Sequence, residues 1–165
     1  MNILKPNTYK GDAWPKSSFF AVYDGHGGSL CSDYLRDNLH HFIIKDSNFP
    51  LNPKEAIKKG FQAAENDFIN NYALDTYGEI ADRSGSCAIV CLIVDNIIYI
   101  ANVGDSRAVM SSNVGALATS LSEDHKPNDE NETKRINDAG GKVYQYNYFF
   151  NQNTSPEYKL VFSRN

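Results

Sequence analysis

The hydrophobic pattern of this chain changes period several times, and each change marks an element. Phe19 to Tyr23 is an unbroken apolar run that meets Asp24-Gly25-His26-Gly27-Gly28. Such a run reads as a strand covered on both faces and stopped by glycine. From Ser29 to about Ile44 the period becomes helical, with Cys31, Leu35, Leu39 and Phe42 recurring on one side and Tyr34 beside them. The next helix is marked at its start. Asn52 stands as N-cap, Pro53 at the first helical position and Glu55 at the capping-box position, followed by a stripe of Ile57, Phe61, Ala64, Phe68 and Tyr72.

Beyond a polar loop the pattern becomes that of strands. Ser86 to Val94 is apolar on both alternating faces, Asp95-Asn96 offers a two-residue turn, and Ile97 to Val103 is apolar again, which predicts a buried hairpin. After a break at Gly104-Asp105-Ser106, Arg107 to Met110 is expected to continue the meander as a third strand, ending at the turn residues Ser111 to Gly115. Asn128 to Ala139 has acidic residues in its first turn and Gly140-Gly141 at its end, so it reads as a short helix with a thin apolar face. Tyr144 to Pro156, rich in Asn and aromatics, reads as an irregular surface excursion. Hairpins with helices laid against them indicate an α+β layered domain, and 165 residues suit one such domain spanning 1–165.

Composition removes several classes. A chain that is 41% hydrophobic and 12% aromatic can bury a core, so disorder is not expected. Sixteen Lys and Arg against twenty Asp and Glu leave a net charge of −4, with no basic stripe, which argues against nucleic acid as a partner. The three cysteines, Cys31, Cys87 and Cys91, are odd in number and form no CxxC pair, and they read as reduced core thiols. Met1 to Gly11 has no apolar h-region and no apolar run reaches the ~18 residues needed to span a bilayer. The expectation is an intracellular protein, cytoplasmic or nuclear or both, with no membrane segment.

The chemistry concentrates where apolar strands end. An Asp at the junction of a strand and a glycine turn has a fixed backbone and a carboxylate at the rim of the sheet, suited to a hard cation. Gly25, lacking a side chain, lets a metal or phosphate come close to its backbone, and His26 can donate a proton or orient a water. Asp-Gly is also the commonest hairpin dipeptide, and a His in a glycine-rich turn is often only solvated, so these residues by themselves leave both readings open. Asp105 repeats the arrangement: an apolar strand, a glycine, then an aspartate.

At these residues the sequence resembles the metal-dependent protein phosphatases of type 2C. "FFAVYDGHGG", "SGSCAIVCLIV", "IANVGDSRAVM", "LSEDHKPNDENETKRINDAGGKV" and "LVFSRN" look like successive blocks of that family, in its order and at similar spacing, from about Phe19 onward. The resemblance implies a sandwich of two antiparallel sheets flanked by helices, with two Mg²⁺ or Mn²⁺ ions at one end. It implies that Asp24 bridges both ions, that Gly25 ligates one through its carbonyl, and that His26 is the general acid for the departing seryl or threonyl oxygen. Asp105 resembles the ligand of a third, weaker metal found in some members.

The implied activity is hydrolysis of phosphoserine and phosphothreonine in proteins by metal-activated water, with no cysteine nucleophile. For Asp124, His125 and Lys126 the resemblance implies a turn that organises the start of a helix. Ser106 and Arg107 are expected to fix the Asp105 loop. His40-His41 is expected at the surface of a helix end.

The pattern also departs from the family. Family members carry a phosphate-gripping Arg and an acidic pair well before the "DGH", and Met1, Asn2 and Ile3 stand at about that place. "LVFSRN" resembles the start of a block that elsewhere leads on to two further metal-binding aspartates. The fold is therefore expected to be incomplete at both ends, a partial catalytic domain whose activity as a 165-residue chain is doubtful. A catalytically inactive binding or regulatory module and an interaction domain pairing through an exposed sheet edge are the alternatives, and unpaired edges lead to an expectation of self-association.

Overall fold

The computed structural model describes residues 14–146 and 157–161. The chain divides into two compact units, residues 1–123 and 124–165. In the first, strand β1 (Ser17–His26) is followed by helix α1 (Leu30–Lys45), helix α2 (Pro53–Phe68), a π-helical turn (Ile69–Ala73), and strands β2 (Gly85–Val94), β3 (Ile97–Val103), β4 (Val109–Ser112) and β5 (Leu117–Ser120). The architecture is α+β and every ladder is antiparallel: β1-β2-β3 form one sheet and β4-β5 a separate pair.

The helices form where the pattern placed them. The Asn52 side chain accepts a hydrogen bond from the Glu55 amide at 3.3 Å, satisfying one of the orphan donors at the start of α2. Tyr72 falls on the π-helical turn, yet its ring still stacks on Phe68 at 6.0 Å and lies 4.8 Å from that of Tyr34. The two helices come close at Gly60, where any side chain would collide with Ile43 Cγ1 at 2.5 Å. Tyr34 donates to Asp67 Oδ2 at 2.5 Å and ties them together.

Both helices lie on one face of the β1-β2-β3 sheet, and the core forms between them. Leu39 and Ile43 of α1, Ala56, Ala64 and Phe68 of α2, and Val90 and Leu92 of β2 are buried there, with Phe19, Ala21, Tyr23, Tyr99 and Ala101 packed against them. Full burial of a Val, Leu, Ile or Phe side chain stabilises by roughly 1.5–3 kcal/mol. The other face is different. Phe20, Val22 and Ile98 are 61%, 63% and 57% exposed.

That asymmetry corrects the reading of Phe19 to Tyr23 as covered on both sides. Within the first unit helices α1 and α2 lie on one face only, so a continuous apolar run is divided by the two-residue pleat into half-buried odd and exposed even positions. Cys87 and Cys91 share the parity of the exposed face and are half-buried, so they are not core thiols; Cys31 does pack against the core, and all three are free. Nor do the glycines end β1. It runs on through Asp24, Gly25 and His26, paired with Cys87, Ser86 and Gly85, because the ladder needs only backbone groups. The chain turns at Gly27 and Gly28, with φ of 69° and 135°.

The hairpin β2-β3 pairs as predicted, with Asp95 at φ 51° in the turn, but it is not buried throughout: only alternate positions of β2 are buried, and Ile97, Ile98 and Val103 of β3 are exposed. The third strand of the meander does not. Gly104, at φ 104°, turns the chain out of the β2-β3 ladder, and β4 pairs instead with β5, a strand the weak pattern of Leu117 to Ser120 did not reveal. His40 and His41 are also not surface groups at the helix end. Both are half-buried, their rings 4.1 Å apart and that of His40 6.0 Å from Phe19. Desolvation, then the neighbouring His41, holds His40 below the usual imidazole range.

The second unit carries helix α3 (Glu130–Asp138) and a hairpin of β6 (Lys142–Tyr146) with β7 (Glu157–Val161). Asp129 caps α3 by accepting from the amides of Asn131 and Glu132 at 3.0 and 3.2 Å. Gly140, at φ 81°, closes it: the Gly140 and Gly141 amides donate to the carbonyls of Asn137 and Ile136, each at 2.9 Å, in a Schellman motif. Tyr144–Tyr146, expected to open an irregular excursion, end β6; residues 147–156 lie outside the described residues. Among the described residues no helix is long and apolar enough to cross a membrane.

Candidate functional site at the rim of the sheet

The last three residues of β1 are Asp24, Gly25 and His26, and each is held in place by something different. Asp24 sits opposite Cys87 in the ladder and is exposed at the rim, on the helix-free face. Gly25 lies under the first turn of α1, where a Cβ would come within 2.6 Å of Ser32 Oγ, so only glycine lets strand and helix approach this closely. His26 pairs with Gly85, and a side chain at position 85 would strike its Nε2 at 2.5 Å. The exposed imidazole therefore rests over a glycine.

The turn itself is backed by the segment before β2. Ser84 Oγ accepts the Cys31 amide at 3.1 Å, taking up an orphan donor of α1 from outside the helix. Asp82 in turn accepts from the Ser84 amide at 2.8 Å and from its hydroxyl, bonds that hold the Asp82 carboxyl below the usual range. Any side chain on Gly27 would meet the Arg83 carbonyl at 3.1 Å. Asp24, Gly25 and His26 are thus fixed between β2, α1 and the Asp82–Gly85 segment.

Asp105 reaches the same rim from the other side of β2. It lies two residues past the end of β3, and the thiol of Cys87 donates to its Oδ1 at 3.3 Å. Asn102 braces the loop, its Nδ2 donating to the carbonyls of Gly104 at 3.0 Å and Glu123 at 2.8 Å. Cys87 therefore has Asp24 as its ladder partner on one side and Asp105 hydrogen-bonded on the other. Desolvation pushes its thiol up first; the Asp105 side chain and the charge of Asp24 add to this, and the backbone at Asp105 partly offsets it, so sulfur keeps its proton at neutral pH. Tyr23, just before Asp24 but facing inward, has its hydroxyl pushed up to about 12 by burial. Cys31 is pushed up to about 11, mainly by burial and then by Glu65 and Asp82.

Asp124, His125 and Lys126 belong to the second unit, where Lys126 Nζ pairs with the largely covered Asp124 Oδ2 at 2.9 Å. Thr133 Oγ1 donates to the Pro127 carbonyl at 2.5 Å, so this stretch leads into α3 as a hydrogen-bonded turn. The pattern gave Asn102 and Ser84 no role and Cys87 only that of a core thiol. One signal for Cys87 was present: counting back from the Asp95-Asn96 turn places it opposite Gly104, next to Asp105. No such count links β1 to β2, because two helices intervene.

Chemically, the rim offers two exposed carboxylates and an imidazole with open access to solvent. Carboxylate oxygens are donors suited to a hard divalent cation. Among the described residues no group of three or more His, Cys, Asp or Glu could hold an ion, so this rim supplies part of a donor set.

Comparison with known proteins bears on the same residues. The family model described as Protein phosphatase 2C matches residues 2–164. Probable protein phosphatase 2C 55 of Oryza sativa subsp. japonica is 40% identical over 140 residues, covering 85% of this chain and 35% of that protein. A probable protein phosphatase 2C of Caenorhabditis elegans is 47% identical over 131 residues, covering 78% and 35%. The chain thus spans about a third of the length of these relatives. Among solved structures, a sex determining protein of C. elegans aligns with a TM-score of 0.65 at 26% identity, over 87% of this chain and 33% of that one. The serine-threonine phosphatase 2C of Toxoplasma gondii shares the fold, with a TM-score of 0.63 at 20% identity over 80% and 47%.

Proposed function

The chain belongs to the protein phosphatase 2C family, and from that premise we propose that the full-length protein is a metal-dependent serine/threonine protein phosphatase whose active site is the β1–β2–β3 rim. The observation that carries this reading is the convergence of Asp24 and Asp105 on either side of Cys87, with His26 beside them.

The family is metal-dependent. Asp24, the Gly25 carbonyl and Asp105 are the groups of this chain that would hold Mg²⁺ or Mn²⁺, as part of a larger donor set. When bound, such ions supply an activated water and neutralise phosphoryl charge. Asp24 is suited to its part because its backbone is locked in a ladder. His26 stands exposed, able to give a proton to the departing seryl or threonyl oxygen, and its ring lies where Gly85 leaves room for it. The substrates on this reading are phosphoserine and phosphothreonine proteins. Phosphate release from a phosphoserine peptide by the full-length protein, with and without Mn²⁺ and after chelation, tests it. Release that requires metal is expected; metal-independent release, or none in Mn²⁺, overturns it.

A further inference from the structure

We propose that Cys87 is a positioning residue for Asp105, and that its thiol proton is what aims this carboxylate. The proposal rests on the phosphatase reading of Asp105 given above. Three observations converge on it. The thiol donates to Oδ1 of Asp105 at 3.3 Å, and Asp105 has no other hydrogen-bond partner among the described residues. Gly104 closes directly over Cys87: its φ of 104° favours glycine, and an added side chain would run into Cys87 Sγ and would come within 3.2 Å of Cys87 Cα. The loop backbone is pinned independently, by the Asn102 amide on the Gly104 and Glu123 carbonyls.

The division of labour follows from these bonds. Asn102 fixes where the loop runs, whereas Cys87 fixes the rotation of the carboxylate at its tip. With Oδ1 engaged by the thiol, Oδ2 is the oxygen left for a cation. Because Cys87 is also the ladder partner of Asp24, one β2 residue sets the spacing of two carboxylates, one on β1 and one in the loop after β3. A side chain that only filled space would do equally well as valine; one that positions Asp105 needs a donor.

The test separates these. In the full-length protein, the S–H stretching band of Cys87 is isolated by infrared difference against Cys87→Ser, and Mn²⁺ binding is followed by electron paramagnetic resonance. Asp105→Asn is expected to move the band, since the carboxylate acceptor is replaced by a weaker amide. Cys87→Val is expected to weaken Mn²⁺ binding by roughly tenfold, the low end for loss of a group that orients a ligand. Cys87→Ser, which keeps a donor, should stay within about threefold of the parent. An unmoved band, or Cys87→Val binding Mn²⁺ as the parent does, overturns the role of Cys87 alone. A parent protein that binds no Mn²⁺ overturns the phosphatase reading, and with it the purpose assigned to the thiol.

Discussion

The two faces of the β1-β2-β3 sheet are built from the same apolar vocabulary and do opposite things. Odd positions of β1 and even positions of β2 point into the helices and make the core; Val90 and Leu92 are completely buried there. Even positions of β1 and odd positions of β2 point away, and Phe20 and Val22 are mostly exposed. Asp24, Cys87 and the Asp105 contact all lie at the end of this second face. The packed face fixes strand register, and the register carries the carboxylates at the rim of the open face to their places. Stability and chemistry are thus separated by one residue of pleat, since a step of one flips every side chain.

The sharpest way to break this comparison is at Asp24. Asp24→Asn in the full-length protein keeps the ladder partner and removes the charge, so phosphopeptide hydrolysis should fall by more than ~10³-fold, the scale of losing a central electrostatic element. Unfolding free energy should hardly change. Activity within tenfold of the parent would detach the rim from the chemistry.

His26→Gln comes next. Peptide hydrolysis should slow by roughly 10²–10⁴-fold, whereas p-nitrophenyl phosphate, whose leaving group needs no proton, should be spared far more. Equal losses on both substrates would give the imidazole a structural task over Gly85 instead.

The packed face is tested by stability. Leu92→Ala should cost about 2–5 kcal/mol, because it empties a completely buried site, while Val22→Ala on the open face should cost under about 1 kcal/mol. Urea unfolding of the two variants side by side reads the difference. Equal costs would mean that the open face is covered in solution.

The smallest effect concerns alkaline pH. Tyr23 and Cys31 both sit on the packed side with raised folded pKa values, about 12 and about 11 against ordinary values of 10.0 and 9.0. Their neutral forms are favoured by folding, so their contribution is complete below pH 9 and drains away as pH rises to about 12. Urea midpoints should decline across that window, and Tyr23→Phe with Cys31→Ala should flatten the decline. An unchanged slope in the double variant would assign it to other groups.

Much of this was written in the order of residues. Helical spacing, the Asn52 cap, the Asp95-Asn96 turn and the Gly140-Gly141 stop are local signals, and the helices and the β2-β3 hairpin could be read from them, whereas the motif around Asp24 and Asp105 took its meaning from family resemblance. What the order of residues did not contain was which face of an all-apolar strand would meet the helices. An unbroken run such as Phe19 to Tyr23 has no polar side to orient it, so packing of α1 and α2 decided that Ala21 goes in and Val22 stays out. The same holds for the pairing of β4 with β5 and for β1 running through its glycines, since both depend on a partner strand. Cys87 is the clearest case. Its sequence neighbours present it as one more core residue, and only the pairing of β2 with β1, across two intervening helices, sets it between Asp24 and Asp105.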